Sequence, residues 1–578
     1  MLADLMANAS KIVIWVGRNN MARQIESRVR SRRDFRRCGG SLAACALLMA
    51  GLATGPAAAQ DGRDNSGPVV TTAEGQVRGF VKNGVNIFLG IRYAAPPVGN
   101  LRWRPPAPVD KWQGTLDATA YANTCPQVTE LGAFAGPSST TEDCLYLNVF
   151  TTGNTEKRKP VIVWIHGGGN VDGESNDYDG SKLATGGPLG EDTVIVTMNY
   201  RMGLFGFVSH PALNAEGHLW GNYGVLDQVA VLRWVQRNIA AFGGDPSNVT
   251  LGGQSAGASD TTSALLSPLA KGLFHRAILQ SSPRVSKETA DAALAAGVTF
   301  SEAASCPGTD AAAAACLRQL SAARILQLQG TPNANTPGLV VTSFVDGTIV
   351  PIQPAAAWTT GQFNRVPILG GTVRDEANFG MSITEYFSGP PQVPMTEARY
   401  MARVSAATLA QYPLANYGNN PQLALNRAST DQTACTSLHA LQLMSAQVPT
   451  YGYEFIYQSA PYYFPKMPGF QPLAAHTIDI QFLFPGYHGG NLGVNLDHGT
   501  GLPRELNAQE MHLSDQLVAA WTKFAKYGNP NGSGDSPWPQ LTASSPTLLA
   551  EDIPLRSYPV AQFYTDHKCD YWFPALGF

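Results

Sequence analysis

The sequence predicts an α/β fold, with a large, mostly parallel central sheet flanked by helices. Three observations carry this. Short apolar, β-rich runs alternate with helical segments between residues 145 and 280. Those runs read as strands covered on both faces, which is how parallel sheets are built. Gly 58 and Pro 40 in 578 residues, with no collagen-like period, mean many turns and long ordered loops. Hydrophobic residues at 44% and charged residues at 14% exclude a disordered chain, and the length suffices for a large core.

Taken in order, residues 70–93 hold two short β-rich stretches around Gly84. Residues 145–151 (LYLNVFT), 160–165 (PVIVWI) and 193–198 (TVIVTM) are strand-like. Residues 226–241 (LDQVAVLRWVQRNIAA) place apolar side chains at helical spacing, and Gly243-Gly244 end the run. NVTLG at 248–252 is a strand, 257–265 opens a helix, and HRAILQ at 275–280 is a further strand. Residues 289–325 are Ala-rich and helical, and 513–527 (LSDQLVAAWTKFAKY) form an amphipathic helix. No internal repeat and no low-complexity linker interrupts the chain, so 60–578 reads as one domain.

The first 59 residues read as an address. A positive block at 28–37 (RVRSRRDFRR) precedes an apolar stretch at 39–53, and Ala57-Ala58-Ala59 forms a small-residue cleavage site before Gln60. That order is an export signal, cleaved to leave a periplasmic or secreted protein. Ser31-Arg32-Arg33-Asp34-Phe35 resembles a twin-arginine motif; an ordinary secretory signal with a basic start is the alternative. Leu42-Ala43-Ala44-Cys45 also fits a lipoprotein box, although the apolar run before it is very short. Met21 would give a more usual signal length, which leaves residues 1–20 outside the translated protein. Of 8 Cys, six follow the signal. Count alone allows 15 pairings among six. No Cys-x-x-Cys pair or Cys/His cluster suggests a metal. Three disulfides in an oxidising compartment are the natural reading.

A net charge of -3 argues against a nucleic-acid partner. No apolar run reaches the roughly 18–20 residues of an integral membrane span.

Two motifs carry chemistry. Gly253-Gln254-Ser255-Ala256-Gly257 lies between a β-rich run and a helix start. A nucleophilic serine on a tight strand-to-helix turn needs small neighbours, because the backbone is strained and the side chain must protrude. His166-Gly167-Gly168-Gly169 follows the strand PVIVWI directly. Glycines there let backbone N–H groups approach a reacting carbonyl, as in an oxyanion hole. Simple Gly-rich turns are the plain alternative for both. A phosphate loop is disfavoured, since no Gly-Lys-Ser/Thr follows.

With these motifs in view the chain resembles the type-B carboxylesterases, which include the cholinesterases, within the α/β-hydrolase fold. The likeness spans 70–578. Glu142-Asp143-Cys144-Leu145-Tyr146-Leu147-Asn148-Val149 is similar to one family signature, 221–257 to the block that runs into the nucleophile, and 521–531 (WTKFAKYGNPN) to the C-terminal helix. The resemblance implies Ser255 as nucleophile, Glu376 as the acid in Gly371-Thr372-Val373-Arg374-Asp375-Glu376, and His476 as the base in His476-Thr477-Ile478-Asp479. The N–H groups of Gly168, Gly169 and Ala256 would hold the oxyanion. It further implies hydrolysis of a small-molecule ester through an acyl-enzyme, no cofactor and no metal, and the bridges Cys125–Cys144, Cys306–Cys316 and Cys435–Cys569. His439, His488 and His498 are other histidines, outside the matching segment.

The departures from the family bear on substrate. Gln254 stands where the family usually has Glu before the nucleophile. The loop between Cys125 and Cys144 is short and holds no Trp, which removes the aromatic platform for a quaternary ammonium. Arg284 and Lys287 bring cations where aromatic residues are common near the acyl pocket. A lost carboxylate and gained cations favour esters of polycarboxylic acids, such as the tricarballylate esters cut by the bacterial fumonisin esterases of this family. If Arg284 and Lys287 face solvent, a broad esterase for neutral short-chain or aryl esters is expected instead. A lipase, an amidase using the same triad, and a non-catalytic binding protein of the same fold are further readings. Tyr451, Tyr453, Tyr457, Tyr462, Tyr463 and Phe464, shortly before His476, are either gorge lining or core, and Arg92 replaces a usual Pro without evident reason.

Overall fold

The computed structural model describes residues 67–128, 136–153, 158–281, 283, 287–329, 342–387, 395–467, 469–487, 494–531 and 537–577. The export signal over 1–59 lies outside these, as do Arg284 and His488.

Eleven strands form the central sheet. In chain order they are β1 (Phe80–Lys82), β2 (Val85–Arg92), β3 (Tyr146–Thr152), β4 (Lys159–Ile165), β5 (Val194–Met198), β6 (Gly244–Gln254), β7 (Arg276–Gln280), β8 (Ile368–Val373), β9 (Thr450–Phe455), β10 (Thr547–Glu551) and β11 (Arg556–Pro559). Their order across the sheet is β11-β10-β9-β8-β7-β6-β4-β5-β3-β2-β1. The middle block from β10 to β5 is parallel throughout. Antiparallel strands close both edges. This is the mostly parallel sheet that the sequence predicts. A second sheet of three short strands (Val69–Thr71, Gln76–Arg78, Thr115–Asp117) lies outside it.

The strands are apolar on both faces because both faces are covered. In β4, Val161, Val163 and Ile165 enter one hydrophobic cluster, and Ile162 and Trp164 enter the other. Successive side chains of a strand point to opposite faces, so a single run feeds two cores. The edge strands β1 and β2 join through the two-residue turn Asn83-Gly84, with φ of 51° and 77°. This matches an Asn-Gly hairpin.

Five helices matter for the site: α1 (Tyr223–Asn238), α2 (Ala256–Leu266), α3 (Ala290–Ala303), α4 (Pro421–Ser445) and α5 (Ala508–Tyr527). Helix α1 starts three residues before the periodic run, and its end passes into a 3-10 turn closed by Gly243 at φ 82°. The Ala-rich stretch divides into helices at 290–303, 311–319 and 322–329. Asp310 caps the second through Ala312 N and Ala313 N. Helix α5 begins earlier than the apolar spacing suggests. Asn507 and Glu510 form a reciprocal capping box there, which satisfies first-turn N–H groups. The three disulfides are Cys125–Cys144, Cys306–Cys316 and Cys435–Cys569, the pairings implied by the family likeness.

Arg92 has a role after all. Its guanidinium makes a fork-like pair with Asp143, at 2.5 and 2.9 Å, and also donates to the Tyr146 hydroxyl. The position is an ion-pair anchor at the end of β2, beside the Cys125–Cys144 bridge.

Candidate active site

Strand β6 ends at Gln254 and α2 begins at Ala256, so Ser255 occupies the turn alone. Its backbone stands at φ 57° and ψ -120°, a conformation that non-glycine residues rarely adopt. The strain is held in place from several sides. Ser255 N donates to Gln280 O at the end of β7 (2.9 Å), and Ser259 N donates back to Ser255 O (3.0 Å). A Cβ on Gly257 would lie 2.0 Å from Ile165 O, so the helix can approach the end of β4 only with glycine there. This packing explains the small residues around the serine.

The glycine loop follows β4 and sits against this turn. A Cβ on Gly167 would meet Gln254 Oε1 at 2.8 Å and Ser255 Cβ at 3.2 Å. Gly168, Gly169 and Asn170 take positive φ of 107°, 65° and 62°. The loop closes on itself through Val171 N and Asp172 N, which both donate to Gly168 O. Among the described residues the N–H groups of Gly168, Gly169 and Ala256 donate to no protein acceptor. His166 is buried, and burial pushes its pKa down to about 4 against the opposing bond to Gly167 O. The imidazole is therefore neutral near pH 7, and the loop acts through its amide dipoles rather than a net charge.

Glu376 stands just beyond β8, and its carboxylate is almost fully buried. Thr372 Oγ1 (2.7 Å) and Val373 N (3.0 Å) donate to Oε1. Oε2 takes a short hydrogen bond from His476 Nδ1. Burial alone would raise the Glu376 pKa; His476, Thr372 and Val373 outweigh it and lower the pKa. With Nδ1 donating to the carboxylate, His476 Nε2 carries the lone pair. Gln254 Nε2 lies 3.1 Å from it, on the residue before Ser255. One face of the ring meets Phe379, at 5.7 Å between ring centres.

Several residues that hold this arrangement were not singled out by motif. Asp375 ties the Glu376 segment to the His476 segment: Asp375 N donates to Ala474 O and Ala474 N to Asp375 Oδ2. Asn426 from α4 and Gln458 saturate the same carboxylate, each at 2.7 Å. Asp479, three residues after His476, accepts from Gln280 Nε2 (2.6 Å), the residue whose carbonyl anchors Ser255. Burial lifts its carboxyl to about 6. The Asp375-Glu376 and His476-to-Asp479 segments contain both residues, but only their long-range partners reveal the roles.

The aromatic run before His476 is core. Tyr451, Tyr453, Tyr462, Tyr463 and Phe464 are all buried, and Tyr457 is bonded to Glu510. Two of them brace the segment at His476. Tyr462 OH donates to His476 O (2.8 Å), and Tyr463 OH bonds Thr477 Oγ1 (2.6 Å). Burial and then the nearby Glu174 push Asp177 up to about 7, and its charge acts on Tyr463 and Tyr487.

Arg284 is outside the described residues. Lys287 Nζ donates to Ser343 Oγ (2.7 Å), Ser259 Oγ (3.0 Å) and Ser259 O (3.0 Å). An ammonium has three donors, so these bonds leave none for a substrate carboxylate. Burial raises the Asp260 pKa, and the Lys287 charge is the largest effect opposing that rise.

A model of the carboxylesterase family matches residues 66–572. Among curated relatives, the chain is 34% identical to pyrethroid hydrolase Ces2a of Mus musculus over 531 residues, covering 85% of this chain and 89% of the relative. It is 32% identical to cocaine esterase of Homo sapiens over 572 residues, covering 93% and 95%. It is 33% identical to liver carboxylesterase 1 of Oryctolagus cuniculus over 550 residues, covering 86% and 91%.

Proposed function

Because this chain belongs to the carboxylesterase family and is a carboxylic ester hydrolase of the α/β-hydrolase fold, we propose that it cleaves esters through an acyl-enzyme on Ser255. The observation that carries this is the strained Ser255 turn set against the glycine loop. His476 and Glu376 are linked beside it, and Gln254 spans the gap to the imidazole. Ser255 Oγ attacks the ester carbonyl and passes its proton to His476 Nε2. Glu376 keeps Nδ1–H oriented and stabilises the imidazolium. The carbonyl oxygen becomes an oxyanion on the N–H groups of Gly168, Gly169 and Ala256. Collapse breaks the ester C–O bond, and His476 gives its proton to the leaving alcohol. Water, deprotonated by His476, then attacks the acyl carbon, and Ser255 Oγ leaves with that proton. The released acid and alcohol balance one ester and one water.

The substrate reading supported best is a broad preference for uncharged esters. The case for polycarboxylate esters such as those of fumonisin rests on Gln254, because the described cation Lys287 is committed to Ser259 and Ser343. Three disulfides support work in an oxidising compartment outside the cytoplasm, the destination read from residues 1–59. The test compares kcat/KM for p-nitrophenyl butyrate and a fumonisin tricarballylate ester, with Ser255→Ala as the blank. A preference for butyrate is expected. A large preference for the tricarballylate ester overturns the substrate reading, and an active Ser255→Ala protein overturns the mechanism.

A further inference from the structure

The two halves of the oxyanion hole come from different parts of the chain. Gly168 and Gly169 lie on the loop after β4, and Ala256 opens α2. Donors must sit at roughly 2.7–3.1 Å from the developing oxyanion. Something has to fix the loop relative to the helix within a few tenths of an ångström.

One side-chain bond spans that gap. Asn170 follows Gly169 directly, and its Nδ2 donates to Oδ1 of Asp260 (3.1 Å), on α2. Asn170 is held from the loop side as well: its Oδ1 accepts from Tyr200 OH (3.1 Å), its O accepts from Gly203 N (2.6 Å), and Nδ2 also reaches Thr342 Oγ1 (3.3 Å). His166 O lies 3.0 Å from the same hydroxyl, so its one proton is shared between both ends of the glycine loop. Among these contacts, the one to Asp260 reaches the helix that carries Ser255.

Asp260 is fully buried and completely engaged. Gln228 Nε2 from α1 donates to Oδ2 (2.7 Å), and Ser343 Oγ approaches Oδ1 (3.4 Å). An ionised carboxylate in that position is costly without a counter-charge. Lys287 supplies it through Ser343, whose hydroxyl takes 2.7 Å and 2.9 Å bonds from Lys287 Nζ and Ser263 Oγ. This is also why Lys287 is not available to a substrate.

We propose that Asp260, with Lys287 as its counter-charge, is a positioning residue that ties Asn170 to the nucleophile helix and so holds the glycine loop in register with Ala256. The proposal rests on the oxyanion-hole reading given above. It assigns a role to a charge pair that the glycine and serine motifs do not include.

The test uses the full chain and three variants. Asp260→Ala with Lys287→Met removes the tie without leaving a lone buried charge. Asp260→Asn with Lys287→Met removes both charges and keeps an acceptor for Asn170. Asn170→Gly deletes the side chain while suiting the positive φ, and covers the case in which the first variant does not fold. Each is measured for thermal midpoint, kcat and KM on p-nitrophenyl butyrate, and inhibition by a trifluoromethyl ketone, whose serine adduct places an oxyanion in the hole. One oxyanion donor is worth about 100- to 1,000-fold, so a loosened hole should lower kcat about 10- to 100-fold with KM little changed. The Ala/Met variant and Asn170→Gly should both show this loss and bind the ketone weaker by a similar factor. The Asn/Met variant should recover most of it. Wild-type kcat and ketone affinity in Asn170→Gly, or in a folded Ala/Met variant, overturn the proposal. An equal loss in the Asn/Met variant also overturns it, because the charge rather than the tie would then matter. Ser255→Ala separates the two levels: if it is inactive while the tie variants keep full kcat, the positioning role alone fails.

Discussion

Replacing Gln254 by Glu puts a carboxylate oxygen where an amide nitrogen now stands, 3.1 Å from His476 Nε2. The amide now donates to the lone pair that has to take the serine proton. A carboxylate there would instead attract the imidazolium. Two unit charges at that separation attract by about 5 kcal/mol at an effective dielectric of about 20, and about 1.4 kcal/mol moves a pKa by one unit. Gln254 is only 1% exposed. Burial therefore raises the new carboxyl's own pKa and cancels roughly half of the gain, leaving about two units on the imidazole. In the proposed mechanism His476 must be neutral to act as base, so the acid limb of the kcat/KM profile should rise by about two pH units. The carboxylate and imidazole titrate together, so that limb reports the pair. The assay is the full pH profile of p-nitrophenyl butyrate hydrolysis for both proteins, with the active-site concentration counted by an organophosphate. An acid limb that stays in place, in a Gln254→Glu protein whose Ser255 still reacts, would refute the placement of Gln254 against His476.

Glu376→Gln should lower kcat about 1,000- to 10,000-fold with little change in melting temperature. Thr372 and Val373 both donate to Oε1, so the new amide group faces His476 Nδ1 and forces the wrong tautomer; steady-state kinetics with a melting curve checks this. His567 is buried between Asp431 (2.9 Å) and Glu454 (2.7 Å). Burial lowers its pKa, but the two carboxylates prevail and leave it raised above 6.5. Its stabilisation is then complete below pH 6.5 and is lost as pH rises through the folded value. Wild-type melting temperature should fall as pH rises above 6.5 through that folded value, and His567→Gln, destabilised by about 3 kcal/mol, should lack that slope. The Cys435–Cys569 bridge closes a span of 134 residues and Cys306–Cys316 one of 10. Chain entropy assigns them about 5 and about 3 kcal/mol, so denaturant titration of the two Cys→Ser pairs should find the long bridge worth more.

The parts of the site legible in sequence are those made by neighbouring residues. A serine between β6 and α2 with glycine two places on either side, and a glycine run at the end of β4, are local statements about backbone geometry. Helix and strand interiors were legible for the same reason. Their ends were not always so, because Asn507 with Glu510 and the 3-10 turn before Gly243 act through caps that apolar spacing does not report. Glu376 and His476 lie 100 residues apart, and no periodicity joins them. Family likeness supplied that pair. The aromatic run before His476 looked equally suited to a gorge wall and to a core; burial makes it core, with two hydroxyls turned to the backbone and hydroxyl at His476 and Thr477.

The α/β architecture, the strained serine turn and the glycine loop that faces it follow from residues adjacent in the chain. Sequential residues share one backbone, and φ, ψ and steric room are set locally. Where the charges act depends on residues that lie far apart in the chain and meet on folding. Lys287 reads in sequence as a substrate contact and in space as the counter-ion of Asp260 through Ser343, 56 residues further along the chain. Arg92 reads as an unexplained exchange and in space grips Asp143. The physical reason is desolvation. A charge leaving water must find its partner within a few ångströms, and folding, not sequence order, determines which residue stands there.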